Sequence, residues 1–312
     1  MQELRALVDS YSGDRVLIGE DANFAYHGPD NDELHLVFNF PLTETKRLTP
    51  THIRTNQAMR LGALPTDAWP CNTLGNHDSP RVFSRYGDGA NNDALARLHA
   101  ALLLTLWGTP FLFNGEEIGM ADLELTELSQ VRDTAALGQY RRLTSMRGLS
   151  ANEAMQAVAI TTRDRCRTPM QWDNTPNAGF SPAGVQPWLP VNPNYADGVN
   201  VADQIRDSAS MLNFYKRLLH LRKQIPALIA GRFTVLHDNA EDYLTFIRST
   251  DTQACLVVLN TSEQPQTVRF NLDLETQRAT CLLSSSARDG QTCELSALQL
   301  APFEIFIGEL VK

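Results

Sequence analysis

The sequence predicts an α/β domain of parallel strands and crossover helices, followed by a small antiparallel β-sandwich. Up to about residue 230, short apolar runs alternate with amphipathic helical stretches, the pattern of strands joined by helical crossovers. From Arg232 onward the apolar period falls to two, with turns such as Asp-Asn-Ala-Glu and Ser-Glu-Gln-Pro between the runs. Residues 121–200 are rich in Asn, Pro, Gly and Trp and too long for a connector, so they read as a functional insertion. The expected domains are therefore 1–230, with its insertion at about 121–200, and 231–312.

In chain order, a helix is expected over 1–10, where Leu4, Leu7, Val8 and Tyr11 share one face. Strands are expected at 15–19 (RVLIG), 34–40 (LHLVFNF), 69–74 (WPCNTL, with Pro70 marking its start) and 110–113 (PFLF). Helices at 51–64 and 94–107 lie between them, and a further one covers 208–224. In that last helix Met211, Leu212, Phe214, Tyr215, Leu218, Leu219 and Leu221 form an apolar stripe opposite Lys216, Arg217, Arg222 and Lys223, and Pro226 ends it. The sandwich strands are expected at 232–236, 243–248, 254–259, 267–270, 279–283 and 298–307.

Composition narrows the function. With 27 basic against 36 acidic residues the net charge is −9, and no stretch gathers Lys and Arg into a face that could follow a phosphate backbone, so nucleic acid is not expected as a partner. No apolar run approaches the roughly 20 residues that span a bilayer, so no membrane is expected either. The opening Met1-Gln2-Glu3-Leu4-Arg5 lacks the order of a secretory signal, and a cytoplasmic location is expected. Five cysteines with wide spacing suggest reduced thiols rather than a disulfide framework or a zinc site, and no cofactor or metal is expected.

Chemistry concentrates at the strand ends. Glu20 closes RVLIGE, and a carboxylate at the C-terminal end of a parallel strand is where an α/β barrel places reacting groups, although a surface acid opening the next loop has the same pattern. His77, Asp78 and Arg81 stand within Leu-Gly-Asn-His-Asp-Ser-Pro-Arg, where imidazole, carboxylate and guanidinium can bind hydroxyls and hold charge beside a reacting centre. Glu116 and Glu117, in the run Gly108 to Met120, could be catalytic but better suit a structural role, fixing a strand end by accepting backbone hydrogen bonds. The segment Arg163 to Asp173, with Asn177 to Phe180 and Pro187 to Asn194, mixes aromatics with amides and Arg, the chemistry that recognises the apolar face and hydroxyl rim of a sugar. Trp188 reads as core filling.

The motifs L-G-N-H-D-S-P-R-V, G-T-P-F-L-F-N-G-E-E-I-G-M and R-T-P-M-Q-W-D, with I-G-E upstream, resemble the α-glucosidase and oligo-1,6-glucosidase branch of glycoside hydrolase family 13 over essentially the whole chain. The resemblance implies the C-terminal half of a (β/α)₈ TIM barrel, strands five to eight, before the β-sandwich. It makes Glu20 the general acid/base and Asp78 the carboxylate that stabilises the transition state. His77 becomes a hydroxyl-binding imidazole, Arg167 a holder of the terminal glucose and Arg81 a contact near the acceptor sites. The implied activity is retaining hydrolysis of short α-glucosides, disaccharides or oligosaccharides, with a transglycosylase, a sucrose isomerase or a non-catalytic relative as alternatives.

The family's nucleophile is an Asp in a G-F-R-x-D-type segment tens of residues before the acid. Only nineteen residues precede Glu20, and neither Asp9 nor Asp14 sits in such a segment. Two carboxyl groups about 5–5.5 Å apart are needed for retention, so the chain alone is expected to be inactive. Its open barrel edges are expected to pair with the missing N-terminal half or to self-associate.

Overall fold

A computed structural model describes residues 1–271 and 277–311. Helix α1 (Gln2–Asp9) leads to strand β1 (Ile18–Gly19), which runs parallel to β2 (Leu36–Val37). Helix α2 (Pro50–Gly62) precedes β3 (Cys71–Thr73); helices α3 (Val82–Tyr86) and α4 (Asn92–Thr105) follow, and β4 (Thr109–Phe111) lies parallel to β3. Helices α5 (Thr134–Ser145), α6 (Ala151–Thr161), α7 (Val201–Arg206), α8 (Met211–Gln224) and α9 (Pro226–Ala230) come next. The chain closes with β5 (Arg232–Leu236), β6 (Tyr243–Ser249), β7 (Ala254–Asn260), β8 (Gln266–Val268), β9 (Arg278–Ser284), β10 (Thr292–Glu294), β11 (Leu298–Leu300) and β12 (Ile305–Val311). None of the helices described is long and apolar enough to cross a membrane.

The chain divides into two compact units, one of Met1–Leu74, Arg97–Phe111 and Arg217–Lys312, the other of Gly75–Ala96 and Leu112–Lys216. In the first, all four expected parallel strands exist but shrink to two or three residues. At β2 the reason is visible: Arg60 of α2 donates to Val37 O (3.1 Å) and Phe38 O (2.9 Å), so these carbonyls serve a guanidinium instead of a longer ladder. Among the described residues the strands form two parallel pairs, β1 with β2 and β3 with β4, rather than the continuous sheet of a half barrel. The Cys71 thiol of β3 still reaches Val37 O of β2, at 3.3 Å.

Helix α2 starts where Thr49 accepts a hydrogen bond from His52 N–H (3.2 Å) and Pro50 supplies a fixed first turn. Its buried face is largely polar, with Asn56, Gln57 and Arg60 beside Ile53. The polarity is matched: Asn39 donates to Asn56 (2.8 Å) and Asn72 (2.9 Å), Gln57 donates to both of them, and Asn72 donates to Trp107 O (2.9 Å). Buried amides with partners hold one arrangement of the segments that carry them, because each orphaned group would cost about 1–3 kcal/mol.

Helix α4 is apolar nearly all round and buries Leu98, Leu102, Leu103 and Leu104. A helix end leaves carbonyls without intrahelical partners. Here two guanidiniums take them: Arg222 donates to Leu104 O (2.6 Å) and Gly108 O (2.8 Å), and Arg248 of β6 donates to Thr105 O (2.7 Å) and Leu106 O (2.9 Å). Arg248 is fully buried and also donates to Gly231 O, and burial brings its pKa down to about 9.

The C-terminal region is a six-stranded antiparallel sheet in the order β10-β9-β12-β7-β6-β5, with β8 and β11 as a separate two-stranded antiparallel layer. The expected sandwich is thus lopsided. Leu256 and Val258 of β7, Cys281 of β9 and Phe306 of β12 share a core with Val268, Leu298 and Leu300 of the small layer. The run expected at 298–307 is two strands, and β10 is an addition. Strand β7 departs from alternation: Cys255 to Leu259 are all buried, since α9 packs against β6 and β7 as well.

The second unit has two small cores. Leu125, Val131, Ala136, Met155 and Val158 form one around the α5 and α6 pair, and Ile118, Met120, Met170 and Leu212 form the other. Both helices of the pair are capped, α5 by Asp133 accepting from Ala135 N–H (3.0 Å) and α6 by a reciprocal Ser150 and Glu153 box.

Candidate active site

Glu20 lies in the first unit, exposed, directly after β1. His77, Asp78, Arg81 and Arg167 lie in the second unit. Within that unit Asp78 is partly exposed and is the focus of three cationic or potentially cationic side chains. Its Oδ1 is ion-paired with Arg167 Nη2, meets Arg163 Nη1 at 3.3 Å and stands 3.4 Å from His77 Nε2. The backbone locks this cluster: Asn76 Oδ1 accepts from Asp78 N–H (2.9 Å), while His77 O accepts from Arg167 Nε (2.7 Å) and the Cys166 thiol (3.3 Å).

Arg163 carries the arrangement one step further. Its Nε and Nη2 fork onto the two carboxylate oxygens of Asp133, each at 2.9 Å. Hydrogen bonds from Arg163 hold the Asp133 carboxyl well below the usual carboxylate range, and the same contact raises the guanidinium. Asp164, buried, accepts from the backbone N–H of Asp133 at 2.7 Å and so fixes the start of α5 beside the pair. Arg163 was not singled out in the sequence, since Arg163, Arg165 and Arg167 alternate there and only the fold shows that Arg163 joins Arg167 at Asp78 while Arg165 pairs with Asp122. Asp133 carried no signal either, because its place depends on folding across 30 residues.

Arg81 is corrected by the structure. It is 1% exposed, so it is not a wall of an acceptor site. Its Nη1 donates to Asn114 O (2.9 Å), its guanidinium lies 4.8 Å from the Phe113 ring centre, and its backbone N–H donates to Asp122 Oδ1 (2.8 Å). Proximity to His77 and Asp78 in sequence suggested a ligand contact, but the side chain turns into the interior. Glu116 is buried there too, and burial pushes its carboxyl up to about 8. A Cβ at Gly75 would sit 2.1 Å from Glu116 Oε1, so any larger residue there would displace that carboxyl. Glu117 accepts from Gly115 N–H (2.7 Å), a backbone-fixing contact of the kind expected for these two acids.

Trp188 is also corrected. It is 75% exposed rather than core, and Phe180 is 50% exposed. Both border a cavity of about 450 Å³ whose polar wall is Arg132, Asp133, Arg163 and Arg167. A half-exposed carboxylate with guanidiniums and an imidazole around one oxygen, beside an aromatic-lined cavity, can hold a polyhydroxylated ring and stabilise positive charge developing next to it.

Comparison with known proteins agrees with this chemistry. Residues 1–231 match the catalytic domain of alpha amylases, and residues 233–307 match the C-terminal domain of maltogenic amylases. The chain belongs to the alpha-amylase family, glycoside hydrolase family 13. It is 32% identical to a probable oligo-1,6-glucosidase of Bacillus subtilis, over 85% of this chain and 49% of that protein. It is 35% identical to an alpha-glucosidase of Pediococcus pentosaceus, over 91% of this chain and 52% of that protein. The solved trehalulose synthase MutB of Pseudomonas mesoacidophila superposes with a TM-score of 0.85 at 31% identity, covering 99% of this chain and 58% of that one. The chain thus spans about half the length of the curated relatives it matches.

Proposed function

We propose that these 312 residues are the C-terminal part of a retaining α-glucosidase acting on terminal bonds of short α-glucosides, comprising barrel strands five to eight over 1–230 and the β domain over 231–312. The observation that carries the reading is Asp78 held by Arg167, Arg163 and His77. In this reading Asp78 and His77 grip hydroxyls of the terminal glucose, and Arg167 orients Asp78. As C1 gains positive charge in the oxocarbenium-like transition state, the Asp78 carboxylate stabilises it. Glu20 donates its proton to the departing glycosidic oxygen, then takes one from the water that releases the sugar. A carboxylate supplied by a segment outside these residues attacks C1. No metal or cofactor enters these steps.

The test is release of the aryl group from an aryl α-glucoside. Alone, the chain is expected to show no turnover; co-produced with the N-terminal half of a related enzyme, it should gain activity that Glu20→Gln or Asp78→Asn lowers by about 10³-fold or more, the scale on which general acid and electrostatic groups act. Turnover by the isolated chain that Glu20→Gln abolishes would overturn the nucleophile argument. The likeness to a trehalulose synthase supports a second reading, glucosyl transfer. Incubation of the reconstituted protein with sucrose separates the two, free glucose and fructose indicating hydrolysis and a rearranged disaccharide indicating transfer.

A further inference from the structure

We propose that Glu116 is a positioning residue for the loop that carries His77 and Asp78: with Arg81 it clamps the two ends of that loop, and the loop's place depends on whether the carboxyl is neutral or ionised. The catalytic consequence rests on the function proposed above, whereas the control of the loop rests on the contacts that follow.

His77 and Asp78 sit in a short loop, Gly75 to Arg81, whose ends rest on one buried group of side chains. At its start, the space a Cβ would need at Gly75 is taken by Glu116 Oε1 and by Val82 Cγ2. At its end, the Arg81 side chain turns inward, and Nη1 donates to Asn114 O (2.9 Å), two residues before Glu116. The backbone at Glu116 is itself fixed. Its N–H donates to Phe113 O (3.0 Å), and it opens the single 3-10 turn Glu116–Ile118, bounded by Gly115 and Gly119 at φ 94° and 71°. The carboxyl therefore has little room to retreat, and the loop must be the part that yields.

Two buried atoms at this clamp have no hydrogen-bond partner among the described residues, Glu116 Oε1 and Arg81 Nε. Buried polar atoms are nearly always paired, so an acceptor and a donor left over on neighbouring side chains call for an explanation. The protonation of Glu116 supplies it. A neutral carboxyl attracts a guanidinium weakly, whereas a carboxylate forms charge-assisted hydrogen bonds about twice as strong. Ionisation draws Arg81 towards Glu116 and off its alignment on Asn114 O, and Arg81 is only three residues beyond Asp78. Burial pushes the Glu116 carboxyl up to about 8, with Arg81 opposing the rise and Glu117 adding to it. The other groups around the clamp are Tyr86, with Arg85 beside it, Tyr215, and on the Arg81 side Asp122 and Cys166. Burial pushes Tyr86 up to about 12, Cys166 up to about 11 and Tyr215 well above the usual tyrosine range, so these three stay neutral while Glu116 titrates.

The experiment follows the His77 ring by proton NMR in the 312-residue chain from about pH 5 to about pH 10, the signal being assigned by its loss in His77→Gln. Besides any titration of its own, the signal should shift in a further step with its midpoint near 8. Glu116→Gln should remove that step, and Arg81→Gln should keep it but raise its midpoint by about one unit, because the opposing cation is gone. A Glu116 that served only as packing would leave no titrating step at His77. Absence of the step in the parent, or its survival in Glu116→Gln, would overturn the proposal; should Glu116→Gln fail to fold, a midpoint unmoved in Arg81→Gln would do the same. In the enzyme reconstituted with a related N-terminal half, kcat for an aryl α-glucoside should carry one deprotonation more than in Glu116→Gln, a limb about tenfold steeper per pH unit above pH 8. Equal limbs in an active enzyme would also overturn the proposal. No turnover in the reconstituted parent, with the Glu116-dependent step present at His77, would support control of the loop and instead overturn the glucosidase reading.

Discussion

The C-terminal sheet and the first twenty residues start from similar apolar content and end differently. In β7, Leu256 to Leu259 are wholly buried, and the strand has hydrogen-bonded neighbours on both edges, β6 and β12. In α1 and the segment around β1, Leu7 and Val16 are each 55% exposed, and β1 pairs on one edge, over two residues. An amphipathic stripe or an apolar strand contributes burial energy only when another layer meets it, at about 25 cal/mol for each Å² removed from water. Among the described residues the sheet finds that layer and α1 does not, since α1 buries none of its residues.

The comparison breaks most visibly at Arg248. Replacing it by Ala orphans the carbonyls of Thr105, Leu106 and Gly231, each worth about 1–3 kcal/mol, so urea unfolding should show a loss of roughly 3–5 kcal/mol once water reaches some of them. A loss under about 1 kcal/mol would show that the sheet is not anchored in this way. Glu116 sharpens it from the other side, as a buried group whose burial opposes stability. Its folded pKa of about 8 lies above the ordinary 4.5, so its contribution is intact below pH 4.5 and is lost as pH rises towards 8. The parent should weaken by up to about 1.4 kcal/mol per pH unit across that window, and Glu116→Gln should flatten the profile, as read from urea midpoints at pH 5 and pH 8. A slope unchanged in Glu116→Gln assigns it to another group. The smallest effect belongs to Leu7→Ala, which should stay within about 0.5 kcal/mol because the side chain is already in water. A larger loss would mean that α1 packs more fully than its exposure indicates.

Legibility in sequence followed the same division. Helix α8 was readable because its stripe of Phe214, Tyr215 and Leu218 is a local, period-3.6 signal, and these residues are buried. The β-domain strands were readable from turns, yet β7 misled, because period-two reasoning assumes one wet face and this strand has none. Helices α5 and α6 went unread inside a stretch that reads only as a functional insertion, although the Ser150 and Glu153 box was in plain view. Asp78, His77 and Arg167 were readable as a group from their motifs. Arg81 and Trp188 were not, since a side chain's direction depends on what lies across the fold: Asn114 and Phe113 draw Arg81 in, and the proline-bounded loop holds Trp188 out.

The end of α4 also imposes an order on synthesis. The donor that completes the hydrogen bonding of Thr105 O is 143 residues downstream. A chain emerging from the ribosome can wind α4 early, yet Thr105 O must face water until β6 has been made, and only then is the helix end complete. Residue 248 is in this sense a latch fitted last.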